Sequence, residues 1–459
     1  MPALPKLQAL AAAALMLCAA GSQAMTLAEA YEAALNHDPQ LQAAGFDLES
    51  ARQNVPAAKA ALMPQVTLSY SKLGVSGTRS FDNSLDQEVT TRLSYDSPQT
   101  ALQMRMPLLN YEAWKRVDMA RSQLNGAEAT HRSRALDLAD RLSSAYVQVL
   151  DTRVLGALAD SEVVALEEQY KRSQQRLLRG EGTRTEEATA LASLESARAR
   201  ATDARRQQQL ALSRLARITG RPPVFVQDTL PDFSPQVSDP RAERDHIEAA
   251  LANSSTVQVR LAAVETTRLA VQRAKAGHLP RIDAVANISR SRNESLSSLD
   301  QSTFVRSVGV QMSMPLYSGG GVVAAVAQAE ADHARAEQEL RNERDNVTFE
   351  VRRLLQLADS AAARASALRN AVAAAEVAVT GATRAQQAGM GTLNDVLDAR
   401  ARLYAARRDL AVALYDHINS RSRLLVNCGE SPQAVIDHNN ALLQVRVDLA
   451  TATPTPSKP

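Results

Sequence analysis

The second half of the chain restates the first, and this duplication limits the fold more than any other feature. Leu62-Met63-Pro64-Gln65-Val66 returns as His278-Leu279-Pro280-Arg281-Ile282, and Met104-Arg105-Met106-Pro107-Leu108-Leu109 as Met312-Ser313-Met314-Pro315-Leu316-Tyr317. Gly180-Glu181-Gly182-Thr183 returns as Gly389-Met390-Gly391-Thr392, and Thr219-Gly220 as Cys428-Gly429. Four pairs in one order, offset by about 209 residues, are too widely spaced for a solenoid. They describe a duplicated unit. The boundaries read as a first repeat over 25–220, a joining segment over 221–240, a second repeat over 241–429 and a C-terminal segment over 430–459.

Each unit orders its elements alike. A helical run from Thr26 to Leu62, with Ala30, Ala33, Ala34, Leu41, Ala44, Leu48 and Ala51 near helical spacing, matches Arg241 to Leu279. Two short alternating segments follow. Helical stretches of about 70 residues then span Leu108–Arg179 and Gly320–Ala388, roughly 105 Å of helix each. A Gly-x-Gly turn (Gly180 and Gly182, Gly389 and Gly391) breaks each stretch before a helix of about 37 residues. Two shorter helices laid end to end match one long helix, and aromatics at 3% suit coiled-coil-like packing over a conventional core.

The alternating segments point to a membrane. Leu102, Met104 and Met106 oppose Ala101, Gln103 and Arg105, while Val308, Val310, Met312 and Met314 oppose Ser307, Gly309, Gln311 and Ser313. Val66–Ser71 and Ile282–Ser289 alternate likewise, near the roughly 9–11 residues a tilted strand needs to cross a bilayer. A half-buried sheet in a soluble domain has the same pattern. Four strands cannot close a barrel, and an open edge in lipid leaves backbone groups unpaired. Membrane strands would therefore require a dimer of eight strands or a trimer of twelve. Pro64, Pro107, Pro280 and Pro315 stand where the pattern changes period, as junctions between barrel and helices, because proline neither continues a helix nor fills a central ladder position.

Residues 1–24 read as a secretory signal, with Lys6, the apolar run Ala9–Ala20 and a small-x-small site at Ser22-Gln23-Ala24. Leu17 before Cys18 argues against a lipid anchor, and cleavage after Ala24 leaves Cys428 as the one mature cysteine. Lys+Arg 52 against Asp+Glu 50 makes no electrostatic case for nucleic acid. Seven scattered histidines, without a His-x-x-x-His pair or a Gly-x-Ser-x-Gly elbow, point to no enzyme, no metal and no cofactor. Gly319-Gly320-Gly321 lacks the lysine of a phosphate loop and reads as a flexible junction.

With Leu279-Pro280, Pro315-Leu316-Tyr317-Ser318-Gly319-Gly320 and the run Gly391 to Ala399 (GTLNDVLDA), the chain resembles the TolC family of outer-membrane channel proteins from the signal to about Gly429. The resemblance implies a mainly α fold with a membrane β-barrel portion. It implies a homotrimer whose 12-stranded β-barrel in outer-membrane lipid continues into a 12-helix α-barrel tunnel across the periplasm. The partners implied are a periplasmic adaptor and an inner-membrane transporter, with the type I secretion branch favoured because no lipidated N-terminal cysteine is evident. A soluble periplasmic coiled-coil scaffold without a pore is the alternative, and a secreted hydrolase on a helical frame a further one.

By the same resemblance, the turns at Gly180–Thr185 and Gly389–Thr392 form the tunnel's closed tips, and Asp395 and Asp398 line its constriction. Three residues apart, these carboxylates share a helix face, and three chains would present six, whose repulsion would raise their pKa values. Their plainer reading is complementing the helix dipole. Thr185 and Glu186 are expected as tip contacts between coiled coils. Gly391 and Gln386 stand where the family would place an Arg and a Tyr that latch the closed state. Arg221–Pro240 is expected to wrap the helices as irregular structure, Glu430–Leu449 to add a short helix, and Thr451–Pro459 to be disordered.

Overall fold

A computed structural model describes residues 25–448 except 83, 85, 224, 230–232, 238, 240–241 and 295–299. The signal, Cys18 and the tail 451–459 lie outside the described residues. In chain order the elements are α1 (Leu27–His37), α2 (Pro39–Ala60), β1 (Gln65–Asp82), β2 (Glu88–Leu109), α3 (Tyr111–Leu178), α4 (Arg184–Thr219) and β3 (Phe225–Thr229). Then come α5 (Ala242–Asn253), α6 (Ser255–Lys275), β4 (Arg281–Glu294), β5 (Asp300–Ser313), α7 (Gly321–Gln387), α8 (Leu393–Asn427), α9 (Pro432–Leu442) and β6 (Leu443–Asp448).

The chain divides into two compact units. The larger comprises 25–45, 130–257 and 342–448 of the described residues and is helical apart from the antiparallel pair β3–β6. Its core gathers Leu27, Tyr31, Leu138, Leu142, Tyr146, Leu150, Leu215 and Ile418. Tyr146 ties helices to strand, donating to the Met25 carbonyl (3.0 Å) and accepting from the Gln227 N–H (2.6 Å). The joining segment expected to be irregular thus contains β3, which is paired because β6, far away in sequence, supplies its ladder.

The run expected as one helix from Thr26 is two, broken at Asp38 before Pro39, and its counterpart breaks at Ser254. The residue before proline avoids the helical region, and Asp38 is extended (ψ 114°). Its carboxylate accepts from the Leu41 N–H (2.9 Å) and from both Arg141 Nη atoms (2.9 and 3.1 Å). Burial alone would raise this carboxyl's pKa, but Arg141 and the backbone donors hold it below the ordinary carboxylate value.

The smaller unit, 46–129 with 258–341, holds a four-stranded antiparallel sheet in the order β1-β2-β4-β5. The strands run 18, 22, 14 and 14 residues, longer than the alternating cores from which they were expected. One face exposes Val66, Leu68, Met104, Val308, Val310 and Met312. The other buries Ala101 and Asp283, with Arg105 donating to the Asp283 carboxylate across β2 and β4. Pro64 and Pro280 immediately precede β1 and β4, and Pro315 follows β5. Pro107 differs from its expected place, lying inside β2 at a bulge in the β2–β4 ladder, where a missing N–H is tolerated. No helix among the described residues is long and apolar enough to cross a membrane.

Candidate functional site

The two helix-hairpin turns of the larger unit are copies of each other. After α3, the Glu181 N–H reaches the Arg176 carbonyl (2.9 Å) and the Gly180 N–H the Leu177 carbonyl (3.0 Å). After α7, Met390 reaches Ala385 (2.9 Å) and Gly389 reaches Gln386 (3.1 Å). Gly180 and Gly389 sit in the left-handed region at φ 75° and 74°, which closes a helix and favours glycine. A Cβ on Gly182 or Gly391 would stand 3.2 or 3.1 Å from the Cβ of Arg176 or Ala385, so these turns are also short of space.

The next helices open on reciprocal caps. Thr183 accepts from the Glu186 N–H (3.1 Å) while Glu186 accepts from the Thr183 N–H (3.2 Å). Thr392 and Asp395 repeat this at 3.2 and 2.7 Å, and the Thr392 hydroxyl also donates to Asp395 (2.7 Å). Glu186 thus serves its own helix start. Thr185 is exposed, and its carbonyl accepts from the Thr189 hydroxyl (2.8 Å). Asp395 and Asp398 are both exposed on α8, on either side of the buried Val396, with Leu393 buried at its start. Within one chain the hydroxyl and N–H of Thr392 lower the Asp395 pKa, opposite in sign to the effect expected from a carboxylate ring.

Sequence reasoning missed the groups that bond α8 to α3. Arg400 donates to the Ala165 carbonyl (2.9 Å) and Tyr404 to the Ser161 carbonyl (3.2 Å). Leu397 packs on Leu166 and Leu194 beside them. Arg400 and Tyr404 lie four apart and so share a helix face, which was the available signal. Gly391 and Gln386 do other work, since Gly391 fills a turn where a Cβ would crowd Ala385 and the Gln386 carbonyl closes α7. Among the described residues no group of His, Cys, Asp and Glu is arranged to hold a metal.

Duplicated long helices, capped hairpin turns and a four-stranded sheet with exposed apolar residues together characterise the chain. The profile described as outer membrane efflux protein matches residues 30–221 and 246–430, both repeats and little of the segment between them. The chain belongs to the outer membrane efflux protein family. It is 33% identical over 428 residues to the proteases secretion protein PrtF of Dickeya chrysanthemi, covering 90% of each chain. It is 29% identical over 417 residues to the alkaline protease secretion protein AprF of Pseudomonas aeruginosa, covering 90% of this chain and 86% of AprF. The solved outer membrane protein VceC of Vibrio cholerae shares the fold, with a TM-score of 0.74 at 20% identity over 88% of this chain and 96% of VceC.

This family member is an outer-membrane efflux or secretion channel protein, and its mainly α fold with a barrel-forming sheet is that of TolC-like channels. Its relatives lend no support to a soluble periplasmic scaffold.

Proposed function

We propose that the protein is a passive homotrimeric exit duct for polypeptides, the outer-membrane part of a type I secretion system, recruited by a periplasmic adaptor and an inner-membrane transporter. The observation that carries the duct is the sheet order β1-β2-β4-β5, whose two outer edges, on β1 and β5, have no partner strand among the described residues. In lipid each unpaired backbone group costs several kcal/mol, so copies must join edge to edge. Two copies would make an eight-stranded barrel, just wide enough for side chains to fill, whereas three make twelve strands and leave a lumen. PrtF and AprF, named for protease secretion, support a polypeptide cargo.

In this reading Asp395 and Asp398 face the pore at the tips, Thr185 and Glu186 lie where neighbouring hairpins meet, and the chain does no chemistry of its own. Light scattering of the detergent-extracted protein, after subtraction of bound detergent, should give three chains, and a monomer would end the proposal. Expressed in a Dickeya chrysanthemi strain lacking PrtF, the protein should restore extracellular protease. A trimer that conducts in bilayers yet releases no protease would retain the duct and discard the polypeptide cargo.

A further inference from the structure

The two β-hairpins are superposable rung for rung. Gln65, following Pro64, lies opposite Arg105, and Arg281, following Pro280, lies opposite Ser313. The repeats therefore map with an offset of 216 in the first strand (65 to 281) and 208 in the second (105 to 313). Both offsets agree with the sequence repeat, since Met104 maps to Met312 and the helix break at Asp38 maps to Ser254. Between the hairpins, β2 meets β4 with Met104 opposite Ala286 and Gln103 opposite Asn287.

From this internal joint we infer the register in which two copies of the chain meet. The edge strand β5 pairs antiparallel with β1 of the next copy so that Met312 lies opposite Tyr70 and Gln311 opposite Ser71. The inference rests on the homotrimeric barrel proposed above and adds the alignment of its seams. It follows by carrying Met104 to Met312 and Ala286 back to Tyr70 through the two offsets.

Three observations favour this seam over its neighbours. The six hairpins share one pairing pattern, and a common step at every joint keeps strand tilt uniform around the circumference, to which stagger is linked. The internal joint sets that step at four residues, from Ile282, the repeat equivalent of Val66, to Ala286, which shares the rung Val66–Met104–Ala286. Faces also agree, with exposed Met312 and Met314 meeting exposed Tyr70 and Leu68 on the apolar side. On the other side Gln311 and Ser313 meet Ser71 and Ser69, and a slip of one residue would oppose apolar to polar along the whole seam. Lastly, one pair of ends coincides, since this register puts Asp300, the first residue of β5, opposite Asp82, the last of β1, while the longer β1 runs four residues past Ser313 at the other end.

The test is oxidative cross-linking of paired cysteines in the full-length protein, in a Cys428→Ala background. Gln311→Cys with Ser71→Cys uses the water-facing side, and Gln311→Cys with Ser69→Cys or with Leu73→Cys shifts the pairing by two while keeping the face. Directly opposed residues lie about 4.5–5.5 Å apart between Cα atoms, within disulfide reach, and the diagonal neighbours lie farther. The 311/71 pair should form intermolecular disulfides at least tenfold faster than either shifted pair. Faster bonding in a shifted pair overturns the register, as does a reduced 311/71 variant with the mass of three chains that forms no covalent oligomer. A monomeric mass for every reduced variant and for the parent would instead remove the homotrimer itself.

Discussion

At the scale of single residues, the Asp395 carboxylate is bound by the N–H and hydroxyl of Thr392, while Asp398 lies one helical turn on. Removing charge without removing the cap therefore calls for asparagine. Asp395→Asn with Asp398→Asn should bring the cation-over-anion permeability ratio of the reconstituted channel close to one, read from reversal potentials in a salt gradient. An unchanged ratio would leave Asp395 with its capping role alone. Asp151 offers a pH-dependent case. Burial first, and Asp416 second, push its carboxyl up to about 6, and its Oδ1 has no hydrogen-bond partner. The unfolded carboxyl titrates near ~3.9, so the native state binds the extra proton between those values and stability falls as pH rises from about 4 to about 6. Asp151→Asn should remove that loss, adding about 1–2 kcal/mol near neutrality after allowance for solvent screening. The thermal midpoint of the helical signal should then rise at pH 7.5 and change little at pH 4.

At the scale of elements, α4 and α8 end alike, on Gly220 (φ 76°) and Gly429 (φ 75°). Each packs on the end of a first helix of its own repeat. A Cβ on Gly220 would fall 2.7 Å from the His37 ring, and one on Gly429 2.5 Å from the Asn253 backbone. Alanine in the left-handed region costs roughly 1–2 kcal/mol by itself. His37 can turn aside and the Asn253 backbone cannot, so Gly429→Ala should lower the thermal midpoint clearly more than Gly220→Ala. Equal losses would mean that the collision adds nothing to the dihedral strain. The helix lengths were legible from period and punctuation, to within about three residues for α3 and α7. The breaks at Asp38 and Ser254 were less so, because apolar residues recur at helical spacing across the first, even though Pro39 bars Asp38 from the helical region.

At the scale of the whole molecule, opening a duct requires helices at its closed end to separate. Arg400 and Tyr404 are bonds that such a motion would have to break if α8 moves away from α3. Arg400→Ala with Tyr404→Phe should raise the single-channel conductance several-fold in planar bilayers, with the mass of the detergent-extracted protein unchanged. Conductance equal to that of the parent would place the moving contact elsewhere.

The repeat, the long helices, the alternating strands and the glycine turns could be read from the chain because each depends on local spacing and on residues a few positions apart. The family resemblance rested on the same local motifs, and the comparisons bore it out. Tertiary structure decided what local spacing does not encode. It placed β3 against β6, set Pro107 within a strand and brought Arg400 and Tyr404 to the carbonyls of α3. Those outcomes join residues up to more than two hundred positions apart, where the partner is selected by how helices and strands pack and the sequence records only the residue types.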